Sequence, residues 1–418
     1  MAMAQTASTQ LGPNAIAHHD GVASLPAPAP ALHHLDDSDA PETKEQDDLI
    51  FHDLPPFPPD VPTAPLLRLN LARLLNHDGV EEAKLWDACQ NVGFFYLDLR
   101  GGPSSKRDSV HSYPATLDGD ALLRDAAELF ELGREAFELP TEEKQSYDLK
   151  DKGSYYGYKG PGQGVVDAKG TRDANEFYNV SKDDVSGIGE RLPAPEVLQK
   201  ESNRQLLAGF CRMSHAVVAV ILGVLNEKLG LPEGRLAELH RLEVASGDQV
   251  RWVRSPPQPT TDAYTMSLGE HTDFGSVTVL FNRLGGLQIL PPDSEEWQYV
   301  KPLRGHAVVN LGDAMVKFTA GVLRSNIHRV VNPPGQQASH TRMSLVYFAR
   351  PEDEVKLKVL EGSQAIEAKR KELKDSGGLQ EEEDVTAKEW ILRRAMGRRA
   401  GGDWKASEGT EAGRSKLY

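Results

Sequence analysis

Apolar residues along the chain keep a helical rhythm first and a strand rhythm later. Val80–Val92 sets Ala83, Trp86 and Cys89 on related faces, which predicts a helix, and Gly93-Phe94-Phe95-Tyr96-Leu97 then reads as a short strand. A second helix is predicted from Asp118 or Asp120 to Leu139. There Leu122, Ala126, Leu129, Gly133 and Ala136 recur at helical spacing, and Pro140 stops the run. A third covers about Glu201 to Leu229, with Leu206, Phe210, Met213, Val217, Val220 and Val224 on one stripe and Gly230 closing it. Between the last two lies a Gly- and Tyr-rich loop, Tyr155 to Gly162.

After residue 245 the pattern shortens. Strands are predicted at Gln249–Val253, Val277–Phe281, Leu287–Leu290, Gln298–Val300, Ala307–Leu311, His328–Val331 and Arg342–Phe348. Gly285-Gly286, Pro291-Pro292-Asp293 and Asn332-Pro333-Pro334-Gly335 supply turns between them. Many short strands with regular turns favour a closed barrel or sandwich. Beyond Pro351 the chain is charged but balanced, and the capping box Thr386-Ala387-Lys388-Glu389 predicts a helix to about Arg399.

Composition changes the ends of this picture. The 418 residues carry a formal charge of −15, and residues 1–60 hold ten acidic residues against Lys44 alone, a net of −9. With its Pro-Ala run and acidic block, the segment 1–55 reads as a disordered tail. Bulk acidity and the absence of a basic stripe in the core oppose nucleic-acid binding. Two cysteines, Cys89 and Cys211, exclude a disulfide framework and read as buried thiols. No run of 18 apolar residues suggests a membrane span, no secretory leader is evident, and Ser415-Lys416-Leu417 is followed by Tyr418 rather than terminal. These features lead us to expect a cytoplasmic protein, with a monomer as the default.

The chemistry concentrates in His271, Asp273 and His328. Two imidazoles and one carboxylate suit a divalent iron and leave coordination positions open. On extended backbone, His271 and Asp273 point to one face, so His328 is expected from a distant strand across the barrel mouth. Two other His-x-Asp triplets, His18/Asp20 and His34/Asp36, fall in the tail with no strand to hold them. Arg342 and Ser344 share a face of the last strand, where an inward guanidinium beside a hydroxyl calls for a carboxylate.

At this point residues 55–350 resemble the isopenicillin N synthase-like, 2-oxoglutarate- and Fe(II)-dependent dioxygenases. The resemblance rests on His271-Thr272-Asp273-Phe274-Gly275, Gly286-Leu287-Gln288-Ile289, Val309-Asn310-Leu311-Gly312-Asp313, Ser325-Asn326-Ile327-His328-Arg329-Val330 and Arg342-Met343-Ser344. Val92-Gly93-Phe94-Phe95 and Leu139-Pro140-Thr141-Glu142-Glu143-Lys144 add N-terminal support, and Ser255-Pro256-Pro257-Gln258-Pro259 is similar to fungal biosynthetic members. The resemblance implies an α+β fold with a double-stranded β-helix (jelly-roll) core flanked by helices. It implies an N-terminal, mostly helical region at 56–245, a core at 246–350 and a charged C-terminal extension at 351–418. It assigns His271, Asp273 and His328 to Fe(II), and Arg342 and Ser344 to 2-oxoglutarate. The implied activity is O2-dependent hydroxylation, desaturation or ring closure of a small metabolite, with succinate and carbon dioxide as co-products and no further catalytic residue.

One position departs from the family. Many members carry a tyrosine that also binds the co-substrate, where this chain has about Val253; Arg251 or Arg254 would be the nearest substitutes. That departure keeps open an oxidase of the same fold that uses no 2-oxoglutarate, and a non-catalytic binding protein is the remaining alternative. Plainer roles are expected elsewhere: His306 and His215 as structural residues, Asp313 as a turn residue, and Tyr155–Tyr158 and Glu176-Phe177-Tyr178 in packing. Arg393/Arg394 and Arg398/Arg399 are expected on a solvated helix face, with a lid over the pocket as the functional alternative.

Overall fold

The computed structural model describes residues 51, 53–101, 117–257, 267–292, 294–378 and 383–409. The predicted tail, with its two His-x-Asp triplets, lies almost wholly outside the described residues. The strands, in chain order, are β1 (Arg68–Asn70), β2 (Phe94–Asp98), β3 (Gly157–Lys159), β4 (Glu176–Ser181), β5 (Gln249–Ser255) and β6 (Leu268–His271). They continue with β7 (Val277–Asn282), β8 (Leu287–Ile289), β9 (Gln298–Tyr299), β10 (His306–Leu311), β11 (His328–Val330) and β12 (Arg342–Ala349). The larger sheet runs β1-β2-β10-β7-β12-β5-β4-β3 and the smaller β6-β11-β8-β9. Residues from both sheets line one cavity, so the fold is the expected α+β arrangement with a double-stranded β-helix at its centre.

Register explains which side chains meet in that cavity. On β12 the alternation sends Arg342, Ser344, Val346 and Phe348 to the cavity and Leu345 and Tyr347 to the core behind it. On β5, Arg251 and Val253 face the cavity while Trp252 faces back. Val253 stands directly opposite Ser344, and Arg251 opposite Val346.

The helices α1 (Gly79–Asn91), α2 (Gly119–Glu138) and α3 (Glu201–Lys228) fall within two residues of the predicted bounds. Asp118 caps α2 by accepting from the Ala121 amide at 3.0 Å. The helices α2 and α3 cover the outer face of the large sheet. Trp252 is fully buried there and donates its indole N–H to the Leu129 carbonyl at 2.7 Å, and Phe210 of α3 tilts against Phe281 of β7 with ring centres 5.8 Å apart. Cys89 and Cys211 are free and buried in this layer, and burial pushes both thiols up. By length and composition α3 would span a membrane, but 67% of its apolar window is buried inside the protein, as in a core helix.

The pattern did not show β1, β3 or β6, each of only three or four residues, nor the helix α4 (Asp313–Phe318). The last helix, α5 (Ala387–Gly397), starts where its capping box predicts, with Thr386 and Glu389 bonded reciprocally.

The α2–sheet contact has one tight point. A methyl group at Gly133 would sit 2.5 Å from the Trp252 ring, closer than carbon atoms approach. Gly133→Ala is therefore expected to cost about 1–3 kcal/mol through overpacking, measured by urea unfolding.

Candidate active site

His271 ends β6 and His328 begins β11, and the two are antiparallel register partners. His328 therefore comes from the neighbouring strand rather than from across the barrel mouth, and the imidazole centres lie 4.2 Å apart. Asp273 sits just past the end of β6, with Oδ1 3.9 Å from His271 Nε2 and 3.8 Å from His328 Nε2. All three ligand atoms fall within 4.8 Å of one another, and all three residues are buried.

Surrounding groups fix the orientation of each ligand atom. His271 Nδ1 donates to the Gly269 carbonyl at 2.8 Å and His328 Nδ1 to the Asn326 carbonyl at 3.1 Å, which leaves each Nε2 as the acceptor. The Oδ2 atom of Asp273 accepts from Thr278 Oγ1 at 2.6 Å and from Asn310 Nδ2 at 2.7 Å, leaving Oδ1 for a cation. Burial, and then the neighbouring His328, push His271 well below its ordinary value, so it stays a neutral donor of a lone pair. Burial opposes ionisation of Asp273, but His328, His271 and the two hydrogen bonds outweigh it and hold the carboxyl below its usual range.

Arg342 lies on the same cavity wall and is 2% exposed. Its Nε donates to the Gly285 carbonyl at 2.8 Å, and its Nη1 reaches Ser344 Oγ at 3.4 Å. Gly286 makes room for it: φ is +108°, and a Cβ there would meet Arg342 Nε at 3.1 Å. No acidic side chain among the described residues pairs with Arg342, and burial alone lowers its pKa to about 10. A buried, charged guanidinium without a carboxylate suits an anionic ligand that supplies one.

Comparison with known proteins shows the family of the chain. The 2OG-Fe(II) oxygenase superfamily pattern matches residues 247–351, and that of the N-terminal part of the non-haem dioxygenases in morphine synthesis matches 120–201. The 2-oxoglutarate-dependent dioxygenase gloE of Glarea lozoyensis is 32% identical, the match covering 71% of this chain and 83% of that protein. A 2-oxoglutarate-dependent dioxygenase of Aspergillus fumigatus is 31% identical over 74% of this chain and 81% of its own length. The chain belongs to the 2-oxoglutarate- and Fe(II)-dependent dioxygenases. A solved structure shares the fold. It is a full-length Neurospora crassa protein in complex with α-ketoglutarate and 5-formyluracil, and it matches 83% of this chain and 98% of its own at a TM-score of 0.60 and 20% identity.

The dioxygenase has a brace behind its His-x-Asp loop that sequence reasoning missed. Asp313 is not a turn residue: it is fully buried and opens α4. Its amide donates to the Asp273 carbonyl at 2.8 Å, and its Oδ2 accepts from Thr272 Oγ1 at 2.9 Å. The same oxygen pairs with Arg394 of α5, which is also fully buried and lies over Phe274 at 4.4 Å. Arg394 is thus no part of a solvated face, nor is Arg399, which pairs with Asp148. Only Arg393 behaves as expected, in a partly exposed pair with Glu383. Ala395, Arg398 and Arg399 line the cavity, as the lid alternative required. The helical pattern of α5 carried no sign of this, because Asp313 is 81 residues away in sequence.

Other expectations divide. His306 and His215 are structural, bonded to the Arg304 and His240 carbonyls. Tyr158 is buried in the core, but Tyr155 and Phe177 line the cavity. Glu176 is more than a packing residue: it binds Lys144, Tyr158 and Arg254. That contact takes Arg254 out of the cavity, so it does not replace the family tyrosine. The brace has a measurable consequence. Arg394→Met strands a buried carboxylate and is expected to cost about 3–5 kcal/mol in denaturant unfolding. Arg393→Met, in an exposed pair, is expected to cost only about 0–1 kcal/mol.

Proposed function

We propose that His271, Asp273 and His328 hold the Fe(II) of this dioxygenase and that Arg342 with Ser344 holds the distal carboxylate of 2-oxoglutarate. The observation that carries the assignment is Arg342, a buried cation without a carboxylate in the cavity that also holds the triad. We propose further that the substrate is a small organic metabolite of secondary metabolism, and that the catalytic unit comprises regions 56–245 and 246–350, with the C-terminal extension bracing it and lining part of its cavity. The chain acts as a monomer in the cytoplasm, with no nucleic-acid or membrane partner; free, buried Cys89 and Cys211 suit a reducing compartment.

Fe(II) with 2-oxoglutarate supplies O2-dependent oxidation of a C–H bond, releasing succinate and carbon dioxide. The protein's own residues do the positioning. Asn310 and Thr278 aim the Asp273 oxygen, the Gly269 and Asn326 carbonyls set both imidazoles, and Arg342 and Ser344 orient the co-substrate. Phe94, Leu280, Val346 and Phe348 give the cavity an apolar wall that excludes water. Chemistry of this kind needs no general base from the protein.

Fe(II) followed by 2-oxoglutarate under nitrogen should produce a visible charge-transfer band, and oxygen should then yield succinate. Neither signal in the wild-type protein would overturn the assignment. His328→Ala should lose both signals. Arg342→Met should keep iron but raise the 2-oxoglutarate requirement roughly 100-fold. Asn310→Ala is expected to weaken iron binding about 10–100-fold, read by competition with a chelator.

A further inference from the structure

Two more arginines in the same cavity have no carboxylate among the described residues. Arg251 of β5 donates Nε to Asn179 Oδ1 at 2.6 Å, and neither of its terminal nitrogens is hydrogen-bonded to a described residue. Arg350, one residue past β12, donates Nη1 to the Gly247 carbonyl at 2.7 Å, while its Nε is buried without a partner. Neither guanidinium forms an ion pair among the described residues. Two other lining cations differ: Lys159 is neutralised by Asp173, and Arg399 by Asp148.

The two free cations form one feature. Both lie against the Phe348 ring, with guanidinium carbons 5.0 and 5.7 Å from its centre. Arg251 also lies 4.4 Å over Phe177, and Arg350 lies 5.1 Å over Tyr155. Space is reserved for Arg350, since a Cβ at Gly247 or Gly275 would come within 2.9 or 2.8 Å of its side chain. Like charges brought together in a buried site repel, and burial, then Arg350, lower the Arg251 pKa to about 9. At neutral pH it stays charged, so an anion would relieve both.

The pair extends away from the co-substrate end: Arg251 stands opposite Val346, two residues along β5 from the Val253 that faces Ser344, and Arg350 lies farther out. Arg350 stands six residues along the chain from Ser344, roughly 20 Å at the rise of a strand. One 2-oxoglutarate cannot span both. Between them Val346 and Phe348 present an apolar surface.

We propose that Arg251 and Arg350 form a second anion site that anchors a carboxylate on the substrate to be oxidised, with its apolar body lying along Val346 and Phe348 toward the triad. This rests on the dioxygenase assignment above and names the substrate class for it: apolar or aromatic carboxylic acids.

The test is calorimetric titration of the Fe(II)- and 2-oxoglutarate-loaded enzyme under nitrogen, with phenylacetate, 4-phenylbutyrate and cinnamate, each against its primary amide. At least one acid should bind more tightly than its amide by at least about tenfold. Arg251→Gln and Arg350→Gln should each bring that ratio near one. Glutamine retains a polar, hydrogen-bonding side chain, and the charge-transfer band of each variant reports that the site is still built. The proposal is overturned if no acid is preferred over its amide, or if the preference survives in both variants. It is also overturned if either variant, with a native circular dichroism spectrum, loses the band, since that arginine would then serve 2-oxoglutarate. Absence of the band in the wild-type protein would overturn the cofactor assignment instead.

Discussion

The site depends on the antiparallel pairing of β6 with β11. That register sets His271 against His328 and brings two neutral imidazoles to 4.2 Å, with Asp273 just beyond the strand end. The strands have only four and three residues, too short to hold such a register alone. The register is maintained from behind. The Asp273 carbonyl is tied to α4, and Thr272 is tied through Asp313 to α5. The C-terminal segment, which lies outside both matched family patterns, therefore helps to fix the spacing of the triad.

Electrostatics gives the cavity a direction. Of the two carboxylates lining the cavity, Asp273 belongs to the triad and Asp173 is taken up by Lys159. Three arginines on the wall, Arg342, Arg251 and Arg350, have no acidic partner among the described residues. Burying a charge is costly unless a partner satisfies it. The cost here is distributed along β12, with Arg342 at its start, Arg251 of β5 opposite its middle at Val346 and Arg350 just past its end. The apolar Val346 and Phe348 lie along the wall between Ser344 and Arg350.

Much of this was legible in the sequence, for physical reasons. The helices α1, α2 and α3 are long enough for periodicity to show, and their ends carry caps or breakers such as Asp118 and Gly230. The His271/Asp273 and Arg342/Ser344 pairs were legible because the members of each lie two residues apart on extended backbone. The strand β6 was not, because four residues give no periodicity. The role of Arg394 was hidden because an exposed arginine and one paired in the core look identical in a helical pattern. Arg251 was noticed for its position near Val253 but not for its lack of a partner, which only three-dimensional packing shows.

The unpartnered arginines also bear on what the fold must supply. A cavity wall built for stability would have apolar residues at 251, 342 and 350, since replacing buried charges by apolar groups of similar volume is often neutral or stabilising. The opposite arrangement requires stability from elsewhere. The layer behind the sheet provides it through Trp252, Phe210 and the long apolar face of α3. The two faces of β5 and β12 thus divide the work: Trp252, Leu345 and Tyr347 hold the sheet to its helices, while the alternate residues keep charge available in the cavity. A one-residue slip of either strand would exchange these faces, burying arginines in the apolar layer and emptying the cavity of its anion-binding groups.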